Sequence, residues 1–257
     1  MVNFKKDCLD VKIMPTRAEM GAAAADDVAA CINKLLAEKE EVNMIFAAAP
    51  SQNEVLAGLL TADVDWSRVN AFHMDEYIGL PAGAPQCFSN FLKAAIFEKL
   101  PFKSVNCIDA SATDAAAECK RYGDLLNAYP TDIVVMGIGE NGHIAFNDPH
   151  VAEFEDRAII KPVGLDDTCR QQQVNDGCFA KFEDVPEYAL TLTIPTLMRA
   201  DYHFCIVPAS TKAEAVRRTL YGTVSEECPA TILRTKENCI LYCDADSSAL
   251  VRAEDFG

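Results

Sequence analysis

Short apolar runs rich in β-branched residues alternate with longer segments of helical period along nearly the whole chain. Residues 42–48, 69–74, 132–137 (DIVVMG), 157–162, 189–193, 203–207 and Cys239–Cys243 read as strands. Residues 16–40, 51–60, 88–100, 113–127 and 211–221 read as helices, with Thr16 and Thr113 as N-caps. Met20, Ala24, Val28, Ile32 and Leu35 form one apolar stripe on the first of them. Short apolar strands separated by helices build βαβ units around a mostly parallel sheet. The expected fold is therefore α/β: a single-domain, Rossmann-like, doubly wound, mostly parallel sheet with helices on both faces. No internal repeat, low-complexity tract or linker interrupts it, so residues 1–257 read as one domain. In such sheets ligands bind beyond the carboxyl ends of the strands. That rule directs attention to the residues after Ala48, Met74, Gly137 and Val207.

Charge narrows the partners. The chain has 39 acidic against 23 Lys and Arg residues, a formal charge of −16. Nucleic acid and anionic membranes need clustered positive charge, so neither is an expected partner. A small anion needs only a few local cations and backbone amides, and remains compatible. No apolar run approaches the length of a membrane span, and the N-terminus MVNFKKDCLDVKIMP lacks the apolar core of a signal peptide. The 11 cysteines are odd in number and show no paired CxxC spacing. They read as reduced, mostly buried thiols of a cytoplasmic protein, with no metal site among them.

Residues 137–142 spell a literal GxGxxG after a strand. A dinucleotide turn must open a helix whose free N–H groups receive the pyrophosphate. Here the next residues are HIAFNDP, and their Asn-Asp-Pro ending forbids a long helix. The glycines are expected instead to let backbone wrap closely around a small ligand and present His143. At residues 73–77, HMDEY ends another strand, and its adjacent carboxylates, Asp75 and Glu76, point to opposite sides if extended. One of them can then face a cleft as a base while the other does not.

The two loops HMDEYIGLP and GIGENGHIAFNDP together resemble the glucosamine-6-phosphate deaminase family, within a group that also includes 6-phosphogluconolactonases. The resemblance extends through YALTLTIPTL at 188–197 and PASTKAEAVRR at 208–218, and GHIAFNDP is similar to the deaminase branch. It implies conversion of a 6-phosphorylated 2-amino sugar, such as glucosamine 6-phosphate or its galactosamine epimer, to a ketose phosphate and ammonia. It also implies that no metal or organic cofactor is needed. By resemblance, Asp75 is the general base, moving a proton between carbons 2 and 1. His143 helps open the sugar ring, and Lys212 with Pro50 and Ser51 holds the 6-phosphate. Gly142 and Arg170 join the substrate-binding set, Arg170 as a bidentate phosphate ligand from the segment Cys169–Gln173. A homo-oligomer is compatible with the resemblance.

The residue types suit these roles. Proton abstraction beside a carbonyl needs a close, desolvated carboxylate, and ring opening needs a group that exchanges protons near neutrality. Three departures from the family pattern bear on activity. Asn141 stands where an Asp usually orients and charges the imidazole, so a lower His143 pKa and slower ring opening are expected, with Asn141→Asp restoring speed. Asp148 stands where Glu is usual, one methylene shorter. The phosphate loop, usually Gly-Gly-Thr-Pro-like, reads AAAPSQN, and each added Cβ keeps backbone farther from an anion. Gln52 and Asn53 are placed to meet sugar hydroxyls. A second, regulatory phosphate site is not expected, because Glu153, Glu155 and Asp156 crowd the segment after Pro149.

Overall fold

A computed structural model describes residues 1–256. Its strands are β1 (Val2–Lys6), β2 (Leu9–Ile13), β3 (Val42–Phe46), β4 (Val69–His73), β5 (Asp75–Tyr77), β6 (Ser104–Asn106), β7 (Ile133–Met136), β8 (Ile160–Gly164), β9 (Tyr188–Leu192), β10 (Tyr202–Val207) and β11 (Cys239–Cys243). Eight of them form one sheet in the order β1-β2-β11-β10-β7-β3-β4-β6. Only β1 runs antiparallel to its neighbour. Every residue of β3, β4 and β7 is buried, as strands covered on both faces must be.

The helices are α1 (Arg17–Glu38), α2 (Asn53–Leu59), α3 (Phe88–Leu92), α4 (Ala115–Ala128), α5 (Asp167–Asn175), α6 (Ile194–Met198) and α7 (Ala213–Tyr221). Alternate strand residues feed two cores. Val42, Met44, Phe46, Val135 and Ile206 pack with Val28 and Ile32 of α1 and Leu56 of α2 on one face. Ile45, Val134, Met136, Cys205 and Leu241 pack with Tyr122 of α4 and Val216 and Leu220 of α7 on the other. The sheet is doubly wound and Rossmann-like, as expected from the sequence.

The chain runs outward from β3 through β4 to β6, then returns with β7 to the opposite side of β3. The strand order reverses there, and adjacent connections leave on opposite faces, opening a crevice.

Several sequence expectations shift. The segments at 157–162 and 189–193 do not join the main sheet. They appear as β8 and β9, which pair antiparallel with each other, and β5 adds antiparallel to β9. Pro162 is tolerated because β8 lies at the edge of this small sheet. The N-cap of α4 is Asp114, not Thr113, its carboxylate accepting from the amides of Ala116 and Ala117 at 3.0 Å each. Thr16 caps α1 as expected, accepting from Glu19 N at 3.2 Å. The helix expected over 88–100 is α-helical only to Leu92 and continues as a π turn over Lys93–Phe97. The β1–β2 hairpin and α5 are additions to the elements expected from sequence.

Candidate active site

Four loops meet at the crevice, those following β3, β4, β7 and β10. They line a cleft with a cavity volume of about 100 Å³, formed by Pro50 and Ser51, Asp75, Gly139 and His143, and Ala209 and Lys212, with Gln172, Gln173 and Asp176 of the α5 segment on one side.

Asp75 begins β5, immediately after the chain leaves the main sheet. The residue is 6% exposed, and burial, aided by the neighbouring Glu76 charge, holds its carboxyl well above the usual carboxylate range. Glu76 points the other way, as alternation dictates. It accepts from the amides of Tyr77 at 3.0 Å and of Phe88 and Ser89 at 2.8 Å each, capping the start of α3. Burial still raises Glu76, against the pull of these donors. Of the adjacent pair, one carboxylate is thus spent on structure and the other faces the cavity.

His143 is set by glycine. A Cβ on Gly139 would lie 2.2 Å from the imidazole Cε1 and Nε2, so the ring occupies the space a side chain there would take. The GxGxxG pattern serves close approach, and it leads not into a helix but into a tight turn bridging Ile144 and Asn147, with Ala145 at φ +49°. His143 Nδ1 lies 2.8 Å from Asp148 Oδ1. Asp148 is fully buried. Burial acts to raise its pKa, but His143, Asn141 Nδ2 at 2.9 Å and the Asp166 amide at 3.3 Å outweigh that, leaving it below the ordinary value.

This geometry overturns the premise about Asn141. Its side chain does not orient the ring. Its Oδ1 accepts from the His143 amide at 2.9 Å, and its Nδ2 donates to Asp148 and, at 3.1 Å, to Asp166. The charge opposite the imidazole is carried by Asp148, and Asn141 separates two carboxylates.

Thr191 couples base and histidine loop. It pairs with Asp75 across β5 and β9, while its hydroxyl accepts from the amide of Phe146 at 3.1 Å.

At the other end of the cavity, Lys212 is 5% exposed and makes no ion pair among the described residues. Burial lowers its pKa, partly offset by Asp176 and Glu140. The preceding turn holds Ala209 at φ +81°, its amide given to Asp244 at 3.1 and 3.2 Å. Ser51 and Gln52 cross the end of β7, where a Cβ on Gly137 would meet Gln52 Nε2 at 3.2 Å and Ser51 Oγ at 3.4 Å. Gln52 is buried and donates to Ser51 Oγ at 3.0 Å, so it braces the loop; Asn53 begins α2 and does not line the cavity.

Two of the sequence-predicted binding residues lie elsewhere. Arg170 donates to the carbonyls of Val185 at 2.9 Å and Phe182 at 3.3 Å, and its guanidinium stacks 4.2 Å from the Phe182 ring centroid. It does not reach the cavity. Gly142, at φ +90°, lies against Cys228 Sγ and shapes the turn behind the imidazole. Sequence reasoning missed Gln172, Gln173 and Asp176. Helical period from Cys169 would have found them: positions 169, 172, 173 and 176 share one face, and 170 falls on another. It also missed Arg17, which lines the cavity from the first turn of α1.

The donor atoms of His143, Asp148 and Cys169 lie within 4.8 Å of one another. The 2.8 Å His143–Asp148 contact is tighter than the ~3.3 Å between two ligands of one tetrahedral zinc, so these two groups face each other as direct charge partners.

Residues 15–242 match the family model described as glucosamine-6-phosphate isomerases/6-phosphogluconolactonase. The chain belongs to this family. It is 36% identical over 219 residues to a glucosamine-6-phosphate deaminase of Bacillus cereus, covering 85% of this chain and 82% of the relative. A Bacillus anthracis protein of the same name is 35% identical over the same length. Among solved structures, a monomeric glucosamine-6-phosphate deaminase superposes with a TM-score of 0.85 at 28% identity, covering 93% of this chain and 99% of that one. The 6-phosphogluconolactonase of Trypanosoma brucei superposes at 0.79 with 17% identity, covering 97% of this chain and all of that one, a likeness of fold. Among the described residues, no helix is long and apolar enough to cross a membrane.

Proposed function

We propose that this family member is an amino-sugar-phosphate deaminase and isomerase, acting on glucosamine 6-phosphate. The observation that carries the reading is one cavity holding a buried, solvent-stripped carboxylate, an imidazole backed by a second carboxylate, and an unpaired buried lysine. Lys212 and Ser51 hold the 6-phosphate, which fixes the sugar carbons relative to Asp75. His143 keeps Nδ1 toward Asp148, so its Nε2 serves the substrate, carrying a proton to the ring oxygen as the ring opens. Asp148 stabilises the imidazolium formed in that exchange. Asp75 removes the proton from carbon 2 and returns it at carbon 1, leaving an imine at carbon 2. Water adds there and ammonia leaves, giving the ketose phosphate. Burial keeps Asp75 basic enough for this work.

All groups come from one chain, and the 28%-identical relative is itself a monomeric deaminase, which supports the single chain as the functional unit. All 11 cysteines are free, in keeping with a reducing, cytoplasmic setting.

The test is ammonia release from glucosamine 6-phosphate and from its galactosamine epimer, with solvent-hydrogen exchange at carbon 2 followed in parallel. Release with exchange, abolished in Asp75→Asn, is expected. Absence of both, with hydrolysis of 6-phosphogluconolactone, would replace this reading with the lactonase one.

A further inference from the structure

The phosphate end of the cavity is short of cations. A phosphate monoester carries between one and two negative charges near neutrality, about −1.5 to −2. Lys212 supplies one positive charge, and Asp176 adds a negative one to the same wall. The loop after β3 has alanines at 47, 48 and 49, so its backbone lacks the close approach and the conformational freedom that a glycine loop would offer an anion. Arg170 is held away at Phe182 and Val185.

One other cationic side chain besides Lys212 and the imidazole lines the cavity, Arg17. It stands at the first position of α1, where the helix dipole disfavours a cation, so local helix energetics do not account for it. Two contacts aim the guanidinium across the loop. Nε donates to Glu54 Oε1 at 2.7 Å, and Nη2 donates to the Pro50 carbonyl. Glu54 approaches so closely because α1 and α2 meet at glycine: a Cβ on Gly21 would lie 2.2 Å from Glu54 Cβ. The pairing is one-pointed, since neither Glu54 Oε2 nor Arg17 Nη1 has a hydrogen-bond partner among the described residues. The guanidinium is thus fixed in position with donors to spare, beside Ser51 and facing the same space as Lys212.

We propose that Arg17 is the second phosphate ligand, its free N–H groups closing with Lys212 and Ser51 on the 6-phosphate. This rests on the reading of the cavity as a sugar-phosphate site. It assigns to α1 the bidentate contact that the sequence had suggested for Arg170, with the guanidinium oriented by its Nε–Oε1 hydrogen bond to position 54, which a glutamine oxygen would also accept.

The experiment compares wild type with Arg17→Gln, Arg17→Lys and Glu54→Gln. Binding of inorganic phosphate is measured by titration calorimetry, and steady-state rates are measured on glucosamine 6-phosphate and on unphosphorylated glucosamine. Arg17→Gln is expected to weaken phosphate binding and raise KM for the phosphorylated sugar about tenfold or more, with kcat changing less. Turnover of glucosamine stays as in wild type, Arg17→Lys falls between, and Glu54→Gln keeps wild-type phosphate affinity within about threefold. If Arg17→Gln does not fold, Arg17→Lys carries the same comparison. Phosphate affinity within twofold of wild type in the arginine variants overturns the assignment. An equal loss in Glu54→Gln also overturns it, reducing Arg17 to a brace of the loop. Arg17-dependent phosphate binding in a wild type that releases no ammonia leaves this inference standing and removes the deaminase reading.

Discussion

Gly139→Ala is the sharpest probe of the site. The added methyl would sit 2.2 Å from Cε1 and Nε2 and 2.4 Å from Nδ1 of His143, where ordinary contact starts at 3.4 Å. The ring must retreat by about 1 Å. It cannot move into Asp148, already 2.8 Å away and fixed by Asn141 and the Asp166 amide. Gly139 is not among the residues at positive φ, so alanine brings no left-handed backbone penalty and the effect isolates ring displacement. A misplacement of about 1 Å in a reacting group costs roughly 100-fold in rate, or about 2.7 kcal/mol in the barrier. Overpacking takes about 1–3 kcal/mol from stability, leaving a folded protein. The assay is ammonia release coupled to a reporter dehydrogenase, alongside denaturant unfolding. A folded Gly139→Ala enzyme within threefold of wild-type kcat would refute the claim that this glycine places the imidazole.

Asp75→Asn should lower kcat by about 10²–10⁴-fold while raising the unfolding temperature at neutral pH. The folded carboxyl titrates above its unfolded value of 3.8, so its burial penalty appears as pH rises from there through the folded pKa. The variant's gain must therefore vanish below pH 3.8, which unfolding scans across pH will show. Asn141→Asp, expected from sequence to accelerate ring opening, is now expected to slow it about tenfold or more, because a donor to Asp148 and Asp166 becomes a third carboxylate; faster turnover would contradict the observed bonding. Lys212→Met should raise KM for the sugar phosphate about 10–100-fold and stabilise the fold, since a desolvated charge is removed; a loss of thermal stability would contradict that burial argument.

The fold was legible where burial alone decides structure. IVVM of β7 and the apolar runs of β3, β10 and β11 are continuous, and continuous runs of that length belong inside a parallel sheet. Partner choice was not legible. β8 and β9 have the same short apolar look, and only the antiparallel pairing of β9 with both β8 and β5 shows a second sheet. The β1–β2 hairpin was hidden because VNFKK and LDVKI carry charges on their outer face at the sheet edge. At the site, the strand-end rule pointed to the loops of Asp75, His143 and Lys212, and the resemblance of those loops to the family supplied their roles. Arg17 was invisible because its role depends on Gly21 admitting Glu54, a contact across 33 residues of sequence that no local pattern encodes.

The two sheets divide the labour. Asp75 begins a strand of the small sheet, and the histidine loop is tied to that sheet through Thr191, whereas Ser51 and Lys212 come after strands of the large one. A sugar phosphate held as proposed would therefore bridge the two sheets, its phosphate on the large one and its reacting carbons beside the small one. The two are joined where Leu192 N donates to the Met74 carbonyl at 2.8 Å, one residue before Asp75, so the base is fixed to the large sheet at the point where its strand leaves it.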